Sequence, residues 1–192
     1  PLIHISTDFV FDGKKKTPYI ETDKTNPLSV YAKTKLDGEE AIIKQNGTYI
    51  IIRTSWLYSE YGNNFVKTII KHAKEKNELR VVNDQIGSPT YAEDLADVIL
   101  QIIPRIKKGT REIFHYSNEG IASWYDFAVK IIELKKLNCK IIPIEAKDYP
   151  TAAQRPEYSV MDKSKIKDFF DIKMYDWQSS LKKCISKLGS NI

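Results

Sequence analysis

Cysteine, glycine and histidine are scarce in this sequence, and each scarcity narrows the reading. There are two cysteines among 192 residues, Cys139 and Cys184. They stand far apart without metal-ligand spacing, so free thiols in a reducing, cytoplasmic compartment are expected. No apolar run approaches the ~20 residues a membrane helix needs, and no secretory leader is visible. Repeats and low-complexity tracts are absent. Only 8 glycines occur, and no G-x-x-G-x-x-G fingerprint is among them. If a dinucleotide binds, its glycine-rich loop is expected upstream of Pro1. The three histidines, His4, His72 and His115, have no partners at catalytic or metal spacing and read as structural. The basic residues form no stripe and match no nucleic-acid motif. Lys14-Lys15-Lys16 reads as a solvated turn. The net charge of +5 is therefore better suited to a phosphorylated small molecule than to nucleic acid.

What is present is a core. Hydrophobic residues make up 42% and charged residues 29%, the balance of a globular chain rather than a disordered one. The segment 1–7 (PLIHIST) reads as a strand. The segment 48–55 (TYIIIRTS) is apolar on both faces, as in the centre of a parallel sheet. Between them, Asn26 as N-cap and Pro27 at the first helical position predict a helix ending at Asn46-Gly47. Strand, helix and strand make a right-handed β-α-β crossover. Further helices are predicted at 63–76, 91–107, 123–137 and 176–188. Strands are predicted at 79–82, 112–117 and 140–144. The stretch 146–160, broken by Pro150 and Pro156, reads as a loop.

Ligands in parallel α/β sheets bind at the carboxyl ends of strands. Ser6, Thr7 and Asp8 end the first strand; Thr54, Ser55 and Trp56 end the second. The intervening helix starts from that same edge and carries Tyr31, expected in its second turn, with Lys35 one turn along. A phenol beside an ammonium ionises more easily than its ordinary pKa of ~10 allows, which suits proton transfer. Thr7 is placed to hydrogen-bond a substrate carbonyl while Tyr31 supplies the proton.

Six motifs follow one another in order: STDFVFDG, YIETDKTNPLSVYAKTKLDGE, RTSWLY, GNNFVKTI, VVNDQIGSPTYAEDLADVI and RPEYSVMD. Together they resemble the dTDP-4-dehydrorhamnose reductase family of extended short-chain dehydrogenases/reductases (SDRs), over essentially the whole chain but without the family's upstream cofactor loop. The resemblance implies an α/β fold: the C-terminal part of a Rossmann-like parallel sheet (1–57 and 88–110) plus a small α/β substrate-binding domain (58–87 and 111–192). It implies reduction of the 4-keto group of dTDP-4-dehydro-L-rhamnose by NADPH or NADH in nucleotide-sugar and cell-surface polysaccharide synthesis. Thr7, Tyr31 and Lys35 match the catalytic set, and Tyr31 and Lys35 also the cofactor contacts. Thr7, Asp8, Trp56, Asn64 and Arg155 match substrate contacts, Arg155 suiting a diphosphate through its guanidinium fork. Asn64 equally suits a helix cap. Glu93 matches a glutamate associated with Mg²⁺ at a dimer contact, and a homodimer is implied for the full-length protein. Phe9 stands where the family usually has tyrosine, so one hydroxyl beside the sugar is missing. The loop 85–90 fits a hinge-like structural role.

Two other readings remain at this point. One is a non-catalytic regulatory subunit resembling the beta subunit of methionine adenosyltransferase. The other is another nucleotide-sugar reductase, epimerase or dehydratase. The intact Thr7, Tyr31 and Lys35 set favours catalysis, and the absence of a further Cys, His or Glu beside it favours simple reduction. The isolated chain is not expected to bind NADPH.

Overall fold

The computed structural model describes residues 1–149 and 155–189. In chain order the elements are β1 (Leu2–Thr7), α1 (Val30–Lys44), β2 (Tyr49–Thr54), β3 (Leu57–Tyr58), α2 (Phe65–Glu75), β4 (Glu78–Val82), β5 (Ile86–Gly87), β6 (Thr90–Tyr91), α3 (Ala92–Ile102), β7 (Arg111–Tyr116), β8 (Ala122–Ser123), α4 (Trp124–Lys135), β9 (Lys140–Ile144), α5 (Ser164–Phe170) and α6 (Trp177–Lys187). The fold is α/β. No described helix is long and apolar enough to cross a membrane.

The sheet that positions the site is parallel, in the order β1-β2-β7. All six residues of β2 are buried, as a strand flanked on both sides requires. The register aligns Thr7 with Thr54 and Thr54 with Tyr116, so three strands end together. β7 thus pairs beside β2, although the sequence division at 110/111 had put it with the second part. α3 and α5 cover one face of this sheet through Leu95, Val98, Ile102, Ile166 and Phe170, which pack with Ile50, Ile52 and Phe114. A second core gathers α2, α4 and α6 around β4 and β9, with Ile70, Phe127, Ile131 and Leu181 fully buried.

Several boundaries differ from the sequence reading. α1 begins at Val30, capped by the Ser29 hydroxyl, which accepts from Ala32 N at 3.2 Å. Asn26 does not cap it: its backbone N–H goes to Val10 O at 2.8 Å and its amide to Asp12 Oδ2 at 3.1 Å. Tyr31 therefore sits in the first turn of α1, not the second. α3 stops at Ile102 and passes into a short 3₁₀ turn at Ile103–Arg105, where Pro104 lacks the N–H to continue an α-helix. Asn46 takes a left-handed conformation, φ 58°, just after α1, as a helix stop should. Both cysteines are free and buried. The predicted loop 146–160 opens with a 3₁₀ turn at Ala146–Asp148, and its Pro150 lies outside the described residues.

Candidate active site

The carboxyl ends of β1 and β2 open into a cavity of about 360 Å³. Thr7, Asp8, Phe9, Tyr31, Lys35, Trp56, Trp124 and Arg155 are among its walls. Six of the seven residues predicted for catalysis or substrate binding are thus brought together here, Asn64 being the exception.

α1 delivers two of these side chains. Tyr31 is 57% exposed, enough for its phenol to meet a ligand, and its ring stands edge-on to Phe9 at 6.4 Å. Lys35, four residues on, donates to Ile5 O at 2.6 Å. This bond ties the ammonium to the end of β1 beside Thr7. Four residues further along the same helix face, Glu39 is buried and accepts from Arg53, Nη2 to Oε2 at 2.7 Å and Nε to Oε1 at 3.0 Å. Glu39 also accepts from the Ser6 hydroxyl. Helix α1 is thereby bolted to both strand ends, which fixes where Tyr31 emerges. Sequence reasoning missed this pair. Its one signal is the four-residue spacing from Tyr31 through Lys35 to Glu39.

Asp8 is buried, with 2% of its surface exposed. Thr7 Oγ1 lies 3.1 Å from its Oδ1, and Phe9 N donates to the same Thr7 oxygen at 3.2 Å. Its Oδ2 has no partner among the described residues. Burial pushes the carboxyl up to about 7, against the opposing effect of the nearby Ser159 and Thr7 hydroxyls.

The far wall is aromatic. Trp56 adopts φ 46°, a left-handed conformation that costs a β-carbon-bearing residue about 1 kcal/mol or more. Its backbone O accepts from Thr90 N at 3.2 Å, and the neighbouring Ser55 hydroxyl donates to Ser88 O at 2.6 Å. Trp124, at the start of α4, was not foreseen; its chain distance from Trp56 hides the contact. Trp124 and Arg155 also border a second cavity of about 570 Å³, formed with Phe65, Leu79 and Tyr149 among others.

Two predicted residues lie elsewhere. Asn64 lines neither cavity. Its side-chain Oδ1 accepts from Lys67 N at 3.3 Å to cap α2, and its side-chain amide N–H donates to Ser59 O at 2.7 Å. Glu93 does not fit a Mg²⁺ site. Lys187 and the Tyr91 hydroxyl hydrogen-bond its carboxylate, and Lys183 lies 3.5 Å away. These contacts hold its carboxyl down at about 2. Among the described residues no cluster of three metal-ligating side chains occurs. The histidines have no catalytic setting either. His115 Nδ1 meets Tyr19 O at 3.1 Å, and burial, with Arg53 nearby, pushes the ring down to about 3.

A parallel sheet, a helix presenting a tyrosine and a lysine at its edge, and a cleft beyond the strand ends define a Rossmann-like α/β protein of the extended SDR type. Residues 1–190 match the family described as RmlD substrate binding domain, and the chain belongs to it. It is 45% identical over 190 residues to the dTDP-4-dehydrorhamnose reductase of Aggregatibacter actinomycetemcomitans, covering 94% of this chain and 65% of that protein. A dTDP-4-dehydrorhamnose reductase from Clostridium acetobutylicum superposes with a TM-score of 0.91 at 45% identity, over 97% of this chain and 65% of that one. One from Bacillus anthracis, in complex with NADP, superposes with a TM-score of 0.91 at 37% identity, over 96% of this chain and 65% of that one. The chain thus spans about 65% of the length of the relatives it matches.

Proposed function

We propose that this chain carries the substrate site and the proton-transfer residues of an NAD(P)H-dependent reductase that converts dTDP-4-dehydro-L-rhamnose to dTDP-L-rhamnose. The observation that carries this reading is the shared cavity of Thr7, Tyr31, Lys35, Trp56 and Arg155. The deoxysugar lies in the smaller cavity against the Trp56–Trp124 wall, whose apolar faces suit a ring bearing a methyl group. Arg155, on the border between the two cavities, takes the diphosphate, and the base extends into the larger one.

The nicotinamide, when bound, supplies hydride to the ketone carbon. The residues of this chain handle the oxygen. Thr7 donates a hydrogen bond to the ketone oxygen, which gains negative charge as the carbon is reduced. Tyr31 gives its phenolic proton to that oxygen and completes the alcohol. Lys35, held by Ile5 O, places a positive charge beside the departing phenolic proton and keeps further N–H groups for the nicotinamide ribose. Phe9 lines the sugar side as an apolar surface without a hydroxyl.

We assign β7 and α5 to the cofactor-side unit with 1–57 and 88–110, and the rest of 58–87 and 111–192 to the substrate side. A homodimer and a cytoplasmic location belong to the same proposal; the two free thiols suit a reducing compartment.

The test is turnover of the full-length protein with the 4-keto sugar nucleotide and NADPH. Tyr31→Phe should lower kcat by at least ~10²-fold while substrate affinity changes little. An undiminished rate in that variant would remove the proposed acid.

A further inference from the structure

The reductase reading needs Thr7 to donate to the ketone oxygen, and the hydrogen bonds around Thr7 decide whether it can. A threonine hydroxyl has one hydrogen and two acceptor sites. Phe9 N fills one acceptor site at 3.2 Å. The other close partner is Asp8 Oδ1 at 3.1 Å. If Asp8 is a carboxylate, it can only accept, and Thr7 must give it its single hydrogen. Thr7 then has a lone pair left for the cavity and nothing to donate. If Asp8 is a carboxylic acid, its own proton goes to Thr7 Oγ1. Both acceptor sites of Thr7 are then filled, and its hydrogen is free to turn outward.

We infer that Asp8 is a positioning residue, a neutral acid that donates to Thr7 Oγ1 and so directs the Thr7 hydrogen into the cavity, toward the oxygen that Tyr31 protonates. This rests on the reductase reading and deepens it. Three observations support it independently of the chemistry. Asp8 is 98% buried, where an ionised carboxyl is costly. Its Oδ2 has no hydrogen-bond partner among the described residues, a cheaper state for the carbonyl oxygen of an acid than for a charged carboxylate. The groups around it do not neutralise a negative charge by contact: Ser159 approaches from the segment after Arg155, the backbone N–H groups of Asp8 and Phe9 from its own turn, and Tyr31, Lys35 and Arg155 share only the cavity. The upward displacement of its titration to about 7 agrees with that geometry.

The pH dependence of kcat/KM in the full-length protein tests the inference. The wild type should lose about tenfold between pH 6 and pH 8 as Asp8 ionises and Thr7 turns away. Asp8→Asn keeps a permanent N–H donor toward Thr7, so its profile should be flat across that interval. Ser159→Ala removes a nearby hydroxyl that favours the ionised form, so its fall should move to higher pH. A wild-type profile flat over this range, or an Asp8→Asn profile that falls in parallel with it, overturns the inference. Should Asp8→Asn fail to fold, the direction of the Ser159→Ala shift decides alone. A readout without turnover separates this inference from the reductase reading. Infrared difference spectra with ¹³C-labelled aspartate should show a protonated carboxyl at pH 6 that disappears by pH 9 and is missing from Asp8→Asn. Absence of that band in the wild type overturns the role of Asp8 even in an active enzyme. Its presence in a protein that does not reduce the ketone supports the neutral acid and overturns the reductase reading instead.

Discussion

The indole of Trp56 lies flat on that of Trp124, with centroids 3.5 Å apart and planes inclined by 7°. Its other neighbour is Gly87, where a β-carbon would come within 2.6 Å of the Trp56 ring. The glycine is needed for room, since its backbone lies in an ordinary region. Gly87→Ala should therefore push Trp56 off its stack and raise KM for the sugar nucleotide about tenfold, with a smaller change in kcat. Near-ultraviolet circular dichroism should show loss of the coupled-indole signal. An unchanged spectrum together with an unchanged KM would mean that the wall tolerates a methyl group and that the stack is not tightly held.

The bolt beneath the site should be more costly to break. Arg53 and Glu39 are 3% and 1% exposed, so removing one partner strands a buried charge. Glu39→Gln should destabilise the protein by about 3 kcal/mol or more, measured by denaturant unfolding. Pairing it with Arg53→Met should recover part of the loss, because the second change removes the orphaned guanidinium. If both single variants unfold like the wild type, the ion pair is not what holds α1 to the strand ends.

The order of these contacts explains what the sequence could and could not reveal. β2 was legible because Tyr49 to Ile52 are apolar at successive positions, a pattern that follows from burial on both faces. The helices near 63–76 and 123–137 were predicted, the first with Asn64 as a candidate cap, and the structure caps them at Asn64 and Ser123. The start of α1 was not legible. Asn26-Pro27 has the form of a helix start, but tertiary bonds to Val10 and Asp12 hold Asn26 in the preceding loop, and Ser29 caps instead. β3, β5, β6 and β8 span two residues each and exist only through distant partners, which no local pattern encodes. α5 is only 7 residues long, too short for a clear period. In the site, Thr7, Tyr31 and Lys35 could be grouped from the sequence because β-α-β geometry brings them to one edge. Trp124, Ser159 and the Glu39–Arg53 pair reach the site through packing between elements remote in sequence.

Two buried groups should give opposite responses of stability to acid. His115 titrates near 3 in the folded state against an ordinary 6.5. Between those values the unfolded chain binds a proton that the folded chain does not, so falling pH destabilises through His115 by up to about 1.4 kcal/mol per pH unit. Asp8 titrates near 7 against an ordinary 3.8. Between those values the folded chain holds the extra proton, so falling pH stabilises through Asp8 with a similar slope. The two contributions offset each other over most of the range from pH 6.5 to 4. Asp8→Asn removes only the second, so between pH 6.5 and 5 it should lose about 2 kcal/mol relative to the wild type's change. Urea titrations across that range measure the difference. Parallel curves for the two proteins would mean that Asp8 titrates at similar pH folded and unfolded.

Arg155 lines both cavities, and its chemistry distinguishes charge from shape. A lysine there would keep the positive charge but lose the planar fork that meets two phosphate oxygens at once. Arg155 is exposed, so its replacement should leave folding intact. It lines both the cavity that holds Trp56 and the larger, partly aromatic one, so under the proposed function it would bridge ligand parts rather than touch the reacting carbon. Arg155→Ala should accordingly raise KM by about 10²-fold with kcat nearly constant, as expected for binding that is uniform between ground and transition states. Arg155→Lys should recover only part of that loss. For a substrate truncated to the sugar 1-phosphate, the gap between wild type and Arg155→Ala should shrink, because less phosphate charge remains for the guanidinium to hold. A kcat effect as large as the KM effect would place Arg155 in the chemistry of the ketone, and an unchanged KM would move the diphosphate away from this border.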